Sequence, residues 1–390
     1  MLLEASTAEA AMAQDTNAAV MHGLDGQFTD VGRNLICDYI ANPTVLPDIK
    51  NKPRRHVLTQ LTMILPRAEA DQRTSEPCFE GTRVALLREM AHWVTSPDGS
   101  RMCVLSGLAG TGKSTVAYTI ASRAADLDLL GASFMFSRDD ADRNNAKKFF
   151  TTIAYQLCVY NETFAKAIGD VLNTEYGSAS TTKDPQEQLQ ALILQPLRSI
   201  VQSRVRPILI VVDALDECNE DDERAVVKGL SQLIWELPSF KVILTTRPQP
   251  SLDPFFGSRG SRKTFHLQDI DDKVVDGDIQ LYLEHYLSLL QVQKRYPKRQ
   301  WCASDREIES LVRASRRLFI IASRAVRYIL DESASDPAVQ MQKLLHAFTQ
   351  GRMPFDLDEI QRDFDMNFGR VVFGWGTILG ILMATMVHQR

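Results

Sequence analysis

A glycine-rich segment that begins at Gly107 has the residue types and the spacing needed to bind phosphate. It reads Gly-x-x-x-x-Gly-Lys-Ser and ends at Ser114, directly after an apolar run. Glycines at 107, 110 and 112 allow backbone dihedrals in which successive amide N–H groups point at a phosphate, and the lysine adds a mobile cation. The serine hydroxyl can ligate Mg²⁺, and the helix predicted from Thr115 directs its positive end at the same anion. The segment therefore predicts a phosphate site formed by Gly107, Ala109, Gly110, Thr111, Gly112, Lys113, Ser114 and Thr115.

Carboxylates follow a second apolar run, as a phosphate site that uses Mg²⁺ requires. Asp213 ends the run Ile-Leu-Ile-Val-Val, and Asp216 and Glu217 come shortly after it. An aspartate at the end of five buried-type residues needs a cation or hydrogen-bond donors nearby. We therefore predict that Asp213 holds Mg²⁺, directly or through water, together with Ser114. Asp216 or Glu217 could polarise the attacking water as a general base.

A third apolar run ends in Thr-Arg-Pro, where Arg247 is the candidate functional residue. An arginine at this strand end would lie at the rim of the same crevice, near the terminal phosphate, and could sense whether that phosphate is present. The alternative is a solvated arginine that precedes a turn.

Apolar runs without in–out alternation separate helical patterns along the middle of the chain. This combination is typical of a parallel sheet covered by helices on both faces. The predicted strands are the run from Met102, Leu129–Phe136, Pro207–Val212, Lys241–Thr245 and Lys263–Leu267. Because only one strand is predicted between the glycine-rich loop and the strand of Asp213, the sheet order does not follow from chain order. We predict an α/β fold, the three-layer sandwich of P-loop NTPases with a parallel sheet, followed by a small all-helical lid subdomain.

The helical patterns are bounded by turn residues and caps. Helices are predicted at Val84–Val94, after the glycine-rich loop, at Lys147–Tyr160, Gln186–Val201 and Val226–Leu237, and again from Asp276. Gly177–Thr182 reads as a loop. In the C-terminal helical part, Ser304 is the predicted N-cap and Glu307 its capping-box partner.

Composition favours a cytoplasmic globular protein. The chain has 390 residues, 44% of them apolar, and its formal net charge of −5 is spread over many acidic and basic residues. Such a balance does not favour nucleic acid as a partner. The six cysteines lie far apart without a Cys-x-x-Cys pair, which indicates reduced thiols, and the N-terminus lacks the apolar core of a secretory signal.

Six ordered sequence blocks extend the motifs above to a family resemblance. They are Cys78–Arg83 (CFEGTR), GLAGTGKST, FMFSRDD, FFTTIAYQL, VVDALDEC and ILTTRPQP. In this order and spacing they resemble the NACHT-type signal-transduction NTPases (STAND proteins) abundant in filamentous fungi, often labelled nephrocystin-3-like N-terminal domains. The resemblance covers about residues 76–347. Together with the residue patterns it predicts a poorly structured or helical leader at 1–75, a NACHT-type P-loop nucleotide-binding domain at 76–270, a helical subdomain at 271–350 and an apolar C-terminal helix within 351–390.

The resemblance also assigns roles that the motifs alone do not. It makes Gly81, Thr82 and Arg83 candidates for contact with the nucleotide base, although Gly81–Thr82 reads equally well as the N-cap of the next helix. Where relatives usually have glycine, this chain has Ser315-Arg316-Arg317. Relatives continue into a winged-helix domain and repeats, so we expect a C-terminally truncated member without repeats.

The function implied is a nucleotide-switched regulator, similar to NLR proteins, that binds ATP or ADP with Mg²⁺ and hydrolyses ATP slowly. ATP is favoured over GTP because no Asn/Thr-Lys-x-Asp motif is present. The expected partners are the nucleotide and either a second copy of the chain or a signalling protein. The alternative is a truncated or decoy interaction module that binds nucleotide without significant turnover. A motor or a kinase is less favoured, because neither an acceptor site nor a nucleic-acid surface is evident.

The apolar segment 371–387 has two interpretations. It has 17 residues without a charge, which is close to the lower limit of about 17 for a membrane-spanning helix. One interpretation is the first buried helix of an incomplete winged-helix domain, which the resemblance favours. The other is a tail anchor, and membrane association is expected only through this segment.

Overall fold

The computed structural model describes residues 30–42, 65, 76–97, 99–201, 206–256, 262–331, 333 and 336–351. Within them, five parallel strands form one sheet in the order β2-β3-β4-β1-β5. The strands are β1 Met102–Ser106, β2 Leu130–Met135, β3 Ile208–Asp213, β4 Phe240–Thr246 and β5 Arg262–His266. All five predicted strands are thus confirmed. Because every strand is parallel, their carboxyl ends lie along one edge of the sheet, where ligands bind in such folds.

Alternate residues of the central strands enter two separate hydrophobic cores, one on each face of the sheet. On β3, for example, Ile210 and Val212 belong to one core, and Leu209 and Val211 to the other. This division explains why the strands read as continuous apolar runs instead of alternating with polar residues. The α/β P-loop fold predicted from the sequence, three layers with a central parallel sheet, is confirmed.

One face of the sheet is covered by α1 Asp30–Ala41, α2 Val84–Thr95 and α3 Lys113–Asp126, which contribute to the same core. The helix α1 lies within the predicted leader. Its Tyr39 is fully buried and donates a hydrogen bond of 2.8 Å to Asp126 at the end of α3. Leu65, also in that leader, is buried in the core of the opposite face. The remaining residues of 1–75 lie outside the described part of the chain.

Helices on the other face come from the segment between β2 and β4. They are α4 Phe149–Tyr160, α5 Glu162–Leu172, α6 Glu175–Ser180, α7 Pro185–Leu189, α8 Gln195–Val201 and α9 Glu220–Glu236, and a π-helical stretch Gln190–Leu194 joins α7 to α8. The prediction of a loop at Gly177–Thr182 is wrong, because α6 includes most of these residues. The cause is a local cap: Thr174 accepts a hydrogen bond of 3.0 Å from the Gly177 amide and begins the helix.

Contacts between residues divide the chain into two compact units. The first extends to Tyr282 and contains the sheet, whereas the second comprises Ala109–Thr111 and the chain from Leu283. The helix α10, Asp272–Tyr286, runs across the boundary between the two units. The described residues that follow it form α11 Leu289–Arg295, α12 Asp305–Ser315, α13 Phe319–Ile329 and α14 Pro337–Thr349. This confirms a helical part after the sheet. The predicted domain boundaries remain predictions.

Two details of the helical unit bear on the sequence predictions. The capping box of α12 is confirmed, because the Ser304 amide donates to the Glu307 carboxylate at 2.8 Å. Arg316 and Arg317 have φ values of 46° and 63° and separate α12 from α13. Non-glycine residues rarely adopt this left-handed conformation. Two arginines therefore take backbone conformations that glycine would adopt more easily.

No helix among the described residues is long and apolar enough to cross a membrane. The segment 371–387 lies outside these residues, so both interpretations of it stay predictions.

Candidate nucleotide site

The glycine-rich loop connects the buried strand β1 to α3. Gly110 and Gly112 have φ values of 75° and 97°, in the left-handed region that favours glycine. Gly107 does not have a positive φ. Instead its amide donates at 3.3 Å to the Thr246 carbonyl, so it continues the strand geometry at the end of β1. The expectation of unusual backbone dihedrals at all three glycines is correct for Gly110 and Gly112 and wrong for Gly107.

The tip of the loop, Ala109–Thr111, belongs by its contacts to the second unit. Within that unit the Ile320 amide donates to the Gly110 carbonyl at 3.2 Å, and a Cβ atom added to Gly110 would lie 2.4 Å from Ile320 Cγ2. Gly110 is therefore constrained both by its φ angle and by a close neighbour.

Lys113 turns its ammonium group back over the loop. Its Nζ donates to the carbonyls of Gly107 at 2.9 Å and of Leu108 at 3.1 Å. Burial lowers the pKa of Lys113, and the charge of Asp216 partly opposes that decrease. A cation that is held by carbonyls and partly removed from water can bind an incoming phosphate with charge-assisted hydrogen bonds.

Asp213, at the end of β3, has one carboxylate oxygen that lacks a hydrogen-bond partner. The residue is only 1% exposed, Oδ1 accepts a hydrogen bond from the Thr245 hydroxyl, and Oδ2 is buried and unpaired. Burial raises the pKa of Asp213, whereas the hydroxyls of Thr245 and Ser114 lower it. A buried polar atom without a partner needs a physical reason, of which a bound ion is one.

The oxygen atoms of Asp213 and Ser114 are suitable ligands for Mg²⁺. A carboxylate oxygen of Asp213 and the hydroxyl of Ser114 are hard oxygen ligands, and Mg²⁺ usually takes one or two protein oxygens and completes its shell with phosphates and water. No group of three or more His, Cys, Asp or Glu residues in the described ranges could hold a metal ion. The oxygens of Asp213 and Ser114 match the one or two protein ligands that Mg²⁺ takes in such sites.

A strained turn follows Asp213 and carries the two candidate bases. Ala214 has a φ of 55°, and its amide donates to the Thr245 hydroxyl at 2.9 Å. The buried Asp216 forms an ion pair with Arg247, whose Nε lies 2.9 Å from Oδ2, and the Arg247 amide donates to Oδ1 at 3.2 Å. Glu217 is half-buried, and its Oε2 accepts a long hydrogen bond of 3.4 Å from the Arg138 amide. Both carboxylate oxygens of Asp216 are thus engaged by the predicted sensor.

Sequence reasoning missed a second buried carboxyl group near this turn. Glu223, in the first turn of α9, accepts a hydrogen bond of 3.1 Å from Gln249, which in turn accepts one of 3.2 Å from the Thr246 hydroxyl. Burial raises the pKa of Glu223 to about 7, and the charge of Asp216 adds to the increase. In the sequence Glu223 is the last of four consecutive acidic residues, Glu220–Glu223, so nothing distinguishes it as buried.

The segment Gly81–Arg83 leads into α2. Gly81 has a φ of 85°, and a Cβ atom there would lie 2.9 Å from Leu281 Cδ2. The N-cap alternative for Gly81–Thr82 is wrong: α2 begins at Val84, its N-cap residue is Arg83, and the Thr82 hydroxyl donates instead to the Phe79 carbonyl at 2.6 Å. The buried Arg83 pairs with Asp278, since its amide donates to Oδ2 at 3.1 Å. Both residues line a pocket of about 350 Å³.

The structure brings several of the predicted residues close together. The charges of Lys113, Asp213, Asp216 and Arg247 influence one another, the hydroxyl of Ser114 acts on Asp213, and Arg247 pairs with Asp216. Gly81–Arg83 leads into α2, where Arg83 pairs with Asp278, and the nearby Cys78 amide donates to the Thr119 hydroxyl of α3 at 2.8 Å.

A comparison with protein families finds one match, which covers the residues of this site. Residues 81–247 match the family described as "Nephrocystin 3, N-terminal", a range that includes the loop, Asp213 and Arg247 and fewer than half of the residues of the chain. No curated protein matches the chain.

Several solved structures are distantly similar. One is a signal transduction ATPase with numerous domains (STAND) with a tetratricopeptide repeat sensor, PH0952 from Pyrococcus horikoshii, at 17% identity and a TM-score of 0.36; the match covers 73% of this chain and 33% of that one. Another is the Walker-type ATPase paby2304 of Pyrococcus abyssi, at 11% identity and a TM-score of 0.38, covering 68% and 71%. A third, Drosophila ORC bound to DNA, has 15% identity and a TM-score of 0.44, covering 69% and 68%.

Proposed function

We propose that this chain is a nucleotide-dependent regulatory ATPase of the NACHT and STAND type, an NLR-like protein that binds Mg-ATP and Mg-ADP. The site is the crevice at the carboxyl ends of β1, β3 and β4. The observation that carries the proposal is the buried, unpaired Oδ2 of Asp213 close to the serine of a phosphate-binding loop. The family match over residues 81–247 supports it.

Each residue has a distinct part in the proposed binding. The loop amides that follow Gly107, as far as Thr115, surround the β-phosphate, and Lys113 exchanges its loop carbonyls for phosphate oxygens. Asp213 and Ser114 would hold Mg²⁺, which supplies positive charge to the β- and γ-phosphate oxygens when it is bound. ATP is the proposed triphosphate, with GTP as the alternative, and Gly81, Thr82 and Arg83 are the proposed contacts of the base.

Hydrolysis requires a base for water, and Glu217 suits this role better than Asp216. Both oxygens of Asp216 already accept from Arg247, through Nε and through the backbone amide. Glu217 instead accepts a long hydrogen bond of 3.4 Å from the Arg138 amide. A γ-phosphate would compete with Asp216 for the guanidinium of Arg247, so this ion pair is a means by which the protein distinguishes ATP from ADP. The proposed consequence is a change in conformation or self-association, or in binding to a signalling protein.

The alternative function is a module that binds nucleotide without significant turnover. It is favoured by the same ion pair, because Asp216 is occupied and Glu217 is oriented by the Arg138 amide. We place the protein in the cytoplasm, because all six cysteines are free thiols and five of them are buried. Nucleic acid is not a proposed partner, and a membrane is one only through residues 371–387.

The test starts with the purified chain. It is denatured, and the released nucleotide is identified by chromatography. The affinities for ADP, ATP and GTP are then measured with and without Mg²⁺, together with phosphate release and the molecular mass in ADP and in a non-hydrolysable triphosphate. The proposal expects tight, Mg²⁺-dependent adenine nucleotide binding, slow phosphate release and a difference in mass or compactness between the two states. Binding without turnover supports the alternative, and no nucleotide binding contradicts both.

A further inference from the structure

Thr245 lies beside Asp213 in the sheet and is fully buried. The β3–β4 register pairs Val212 with Leu244, so the next residues on the two strands, Asp213 and Thr245, are neighbours. Thr245 is 0% exposed. It therefore has no contact with solvent, and its hydroxyl must find its partners inside the protein.

The hydroxyl of Thr245 makes two hydrogen bonds, and together they fix its direction. It donates its single proton to Asp213 Oδ1 and accepts from the Ala214 amide at 2.9 Å. A hydroxyl has one proton to donate, so this pair of bonds uses its only donor on the aspartate. With Oδ1 held, the carboxylate cannot rotate freely, and Oδ2 keeps the orientation in which it is buried and unpaired.

The second bond acts on the turn. Ala214 adopts a left-handed conformation that alanine rarely takes, and its amide is held by the same hydroxyl. The next three residues, Leu215–Glu217, form a short 3₁₀ helix that carries Asp216 and Glu217. One buried side chain thus holds both the carboxylate of Asp213 and the start of the segment with the candidate bases.

We infer that Thr245 is a positioning residue that orients Asp213 toward Mg²⁺ through its buried hydroxyl. The inference rests on the proposed function, since it concerns the same site. Residues that hydrogen-bond to metal ligands set the ligand orientation, and their loss typically lowers metal affinity by about 10- to 100-fold. The effect should fall on Mg²⁺ more than on the nucleotide, because the loop and Lys113 are unchanged.

The experiment compares Thr245→Val, which keeps the shape and removes the hydroxyl, with Thr245→Ser, which keeps the hydroxyl. Thr151→Val is the matched control: Thr151 is also 0% exposed, but its hydroxyl donates to the Lys148 carbonyl near the start of α4. For each protein, the affinity for ADP is measured by titration without Mg²⁺ and over a series of MgCl₂ concentrations. The thermal midpoint without ligand reports on folding.

We expect Thr245→Val to raise the Mg²⁺ concentration that gives half of the gain in ADP affinity by about tenfold. The affinity for ADP without Mg²⁺ should stay within about twofold of the wild-type value, and Thr245→Ser and Thr151→Val should behave like the wild type. A wild-type Mg²⁺ requirement in Thr245→Val, or a loss in Thr245→Ser as large as in the valine variant, overturns the inference.

Two further results are distinguishable from these. If Thr245→Val does not fold, Thr245→Ala removes the same hydroxyl and is judged by the same criteria. If the wild-type chain binds no ADP at any Mg²⁺ concentration, the proposed function fails, and the inference about Thr245 fails with it.

Discussion

The glycine-rich loop and the carboxyl ends of β3 and β4 hold their polar groups in different ways. The loop relies on its backbone: two glycines adopt positive φ, and Lys113 rests on two carbonyls of the same loop. The strand ends rely on side chains from separate segments, in which Thr245 joins Asp213 to Ala214, and Arg247 pairs with Asp216. We infer that the loop determines how tightly phosphate binds. The strand ends then determine the binding of Mg²⁺, the activation of water and the response to the γ-phosphate.

The largest expected effect concerns turnover and the strand ends. Replacing a general base typically slows a reaction by about 10²-fold or more. We expect Glu217→Gln to lower the rate of phosphate release by at least about 100-fold while the affinity for Mg-ADP stays close to wild type. Asp216→Asn is the comparison variant and should have the smaller effect on turnover. Wild-type turnover in both variants would remove the proposed base, and a larger loss in Asp216→Asn would exchange the two assignments.

A second prediction concerns stability and pH next to these strand ends. Glu223, in the first turn of α9, has a pKa of about 7 in the folded protein against an ordinary value of 4.5, so its folded form binds its proton more tightly. Its contribution to the free energy of unfolding is therefore complete below about pH 4.5 and is lost as the pH rises through 7. The loss is at most about 3.5 kcal/mol, since the shift is about 2.5 pKa units and each unit corresponds to about 1.4 kcal/mol.

We expect Glu223→Gln to be more stable than wild type at pH 8 and to approach it at pH 4.5, because glutamine keeps the acceptor for Gln249 without a charge. Urea unfolding at a series of pH values measures the difference. Asp221→Asn, an exposed position in the same helical turn, is the control. A difference between Glu223→Gln and wild type that does not change with pH contradicts the assignment.

The third prediction tests the loop. Lys113→Ala removes one cation, whose Nζ donates to two carbonyls of the loop. We expect the affinity for the triphosphate to fall by about tenfold or more, the loss of one charge-assisted contact. The thermal midpoint without ligand should change little. Unchanged affinity in a well-folded variant, measured by titration calorimetry, would show that the loop does not bind phosphate.

The smallest expected effect on nucleotide affinity is that of Arg247→Ala. We expect the affinities for ADP and ATP to change by less than about threefold, whereas the difference between the two states in protease sensitivity or molecular size becomes smaller. Arg262→Ala is the matched control, since it removes an arginine paired with the exposed Asp253. If Arg247→Ala retains the full difference between ADP and ATP states, Arg247 is no sensor.

The contrast between the two regions also explains what the sequence could predict. The loop, the strand that ends at Asp213 and the capping box of α12 are formed by residues close together in the chain, and short patterns predict them. The pairing of Thr245 with Asp213 depends on β3 lying beside β4 in the order β2-β3-β4-β1-β5. The order of the strands along the chain does not show that β3 and β4 are neighbours, so the sequence does not identify Thr245 as a residue of the site.

The other omissions have similar physical causes. Glu223 is buried by packing around the start of α9, but an acidic first turn is also what an exposed helix would have. The helix α6 depends on one cap at Thr174 in a sequence rich in glycine, serine and threonine, whose propensities favour a loop. In each case a contact made in three dimensions outweighs the local preference.

The central claim is that the loop and Asp213 form one Mg²⁺–nucleotide site. The most direct test is calorimetric titration of ADP into the wild type and Asp213→Asn, each with and without Mg²⁺. We predict that Mg²⁺ tightens ADP binding to the wild type, and that Asp213→Asn binds ADP with similar affinity whether or not Mg²⁺ is present. Absence of ADP binding to the wild type, or an undiminished Mg²⁺ effect in Asp213→Asn, would contradict the account.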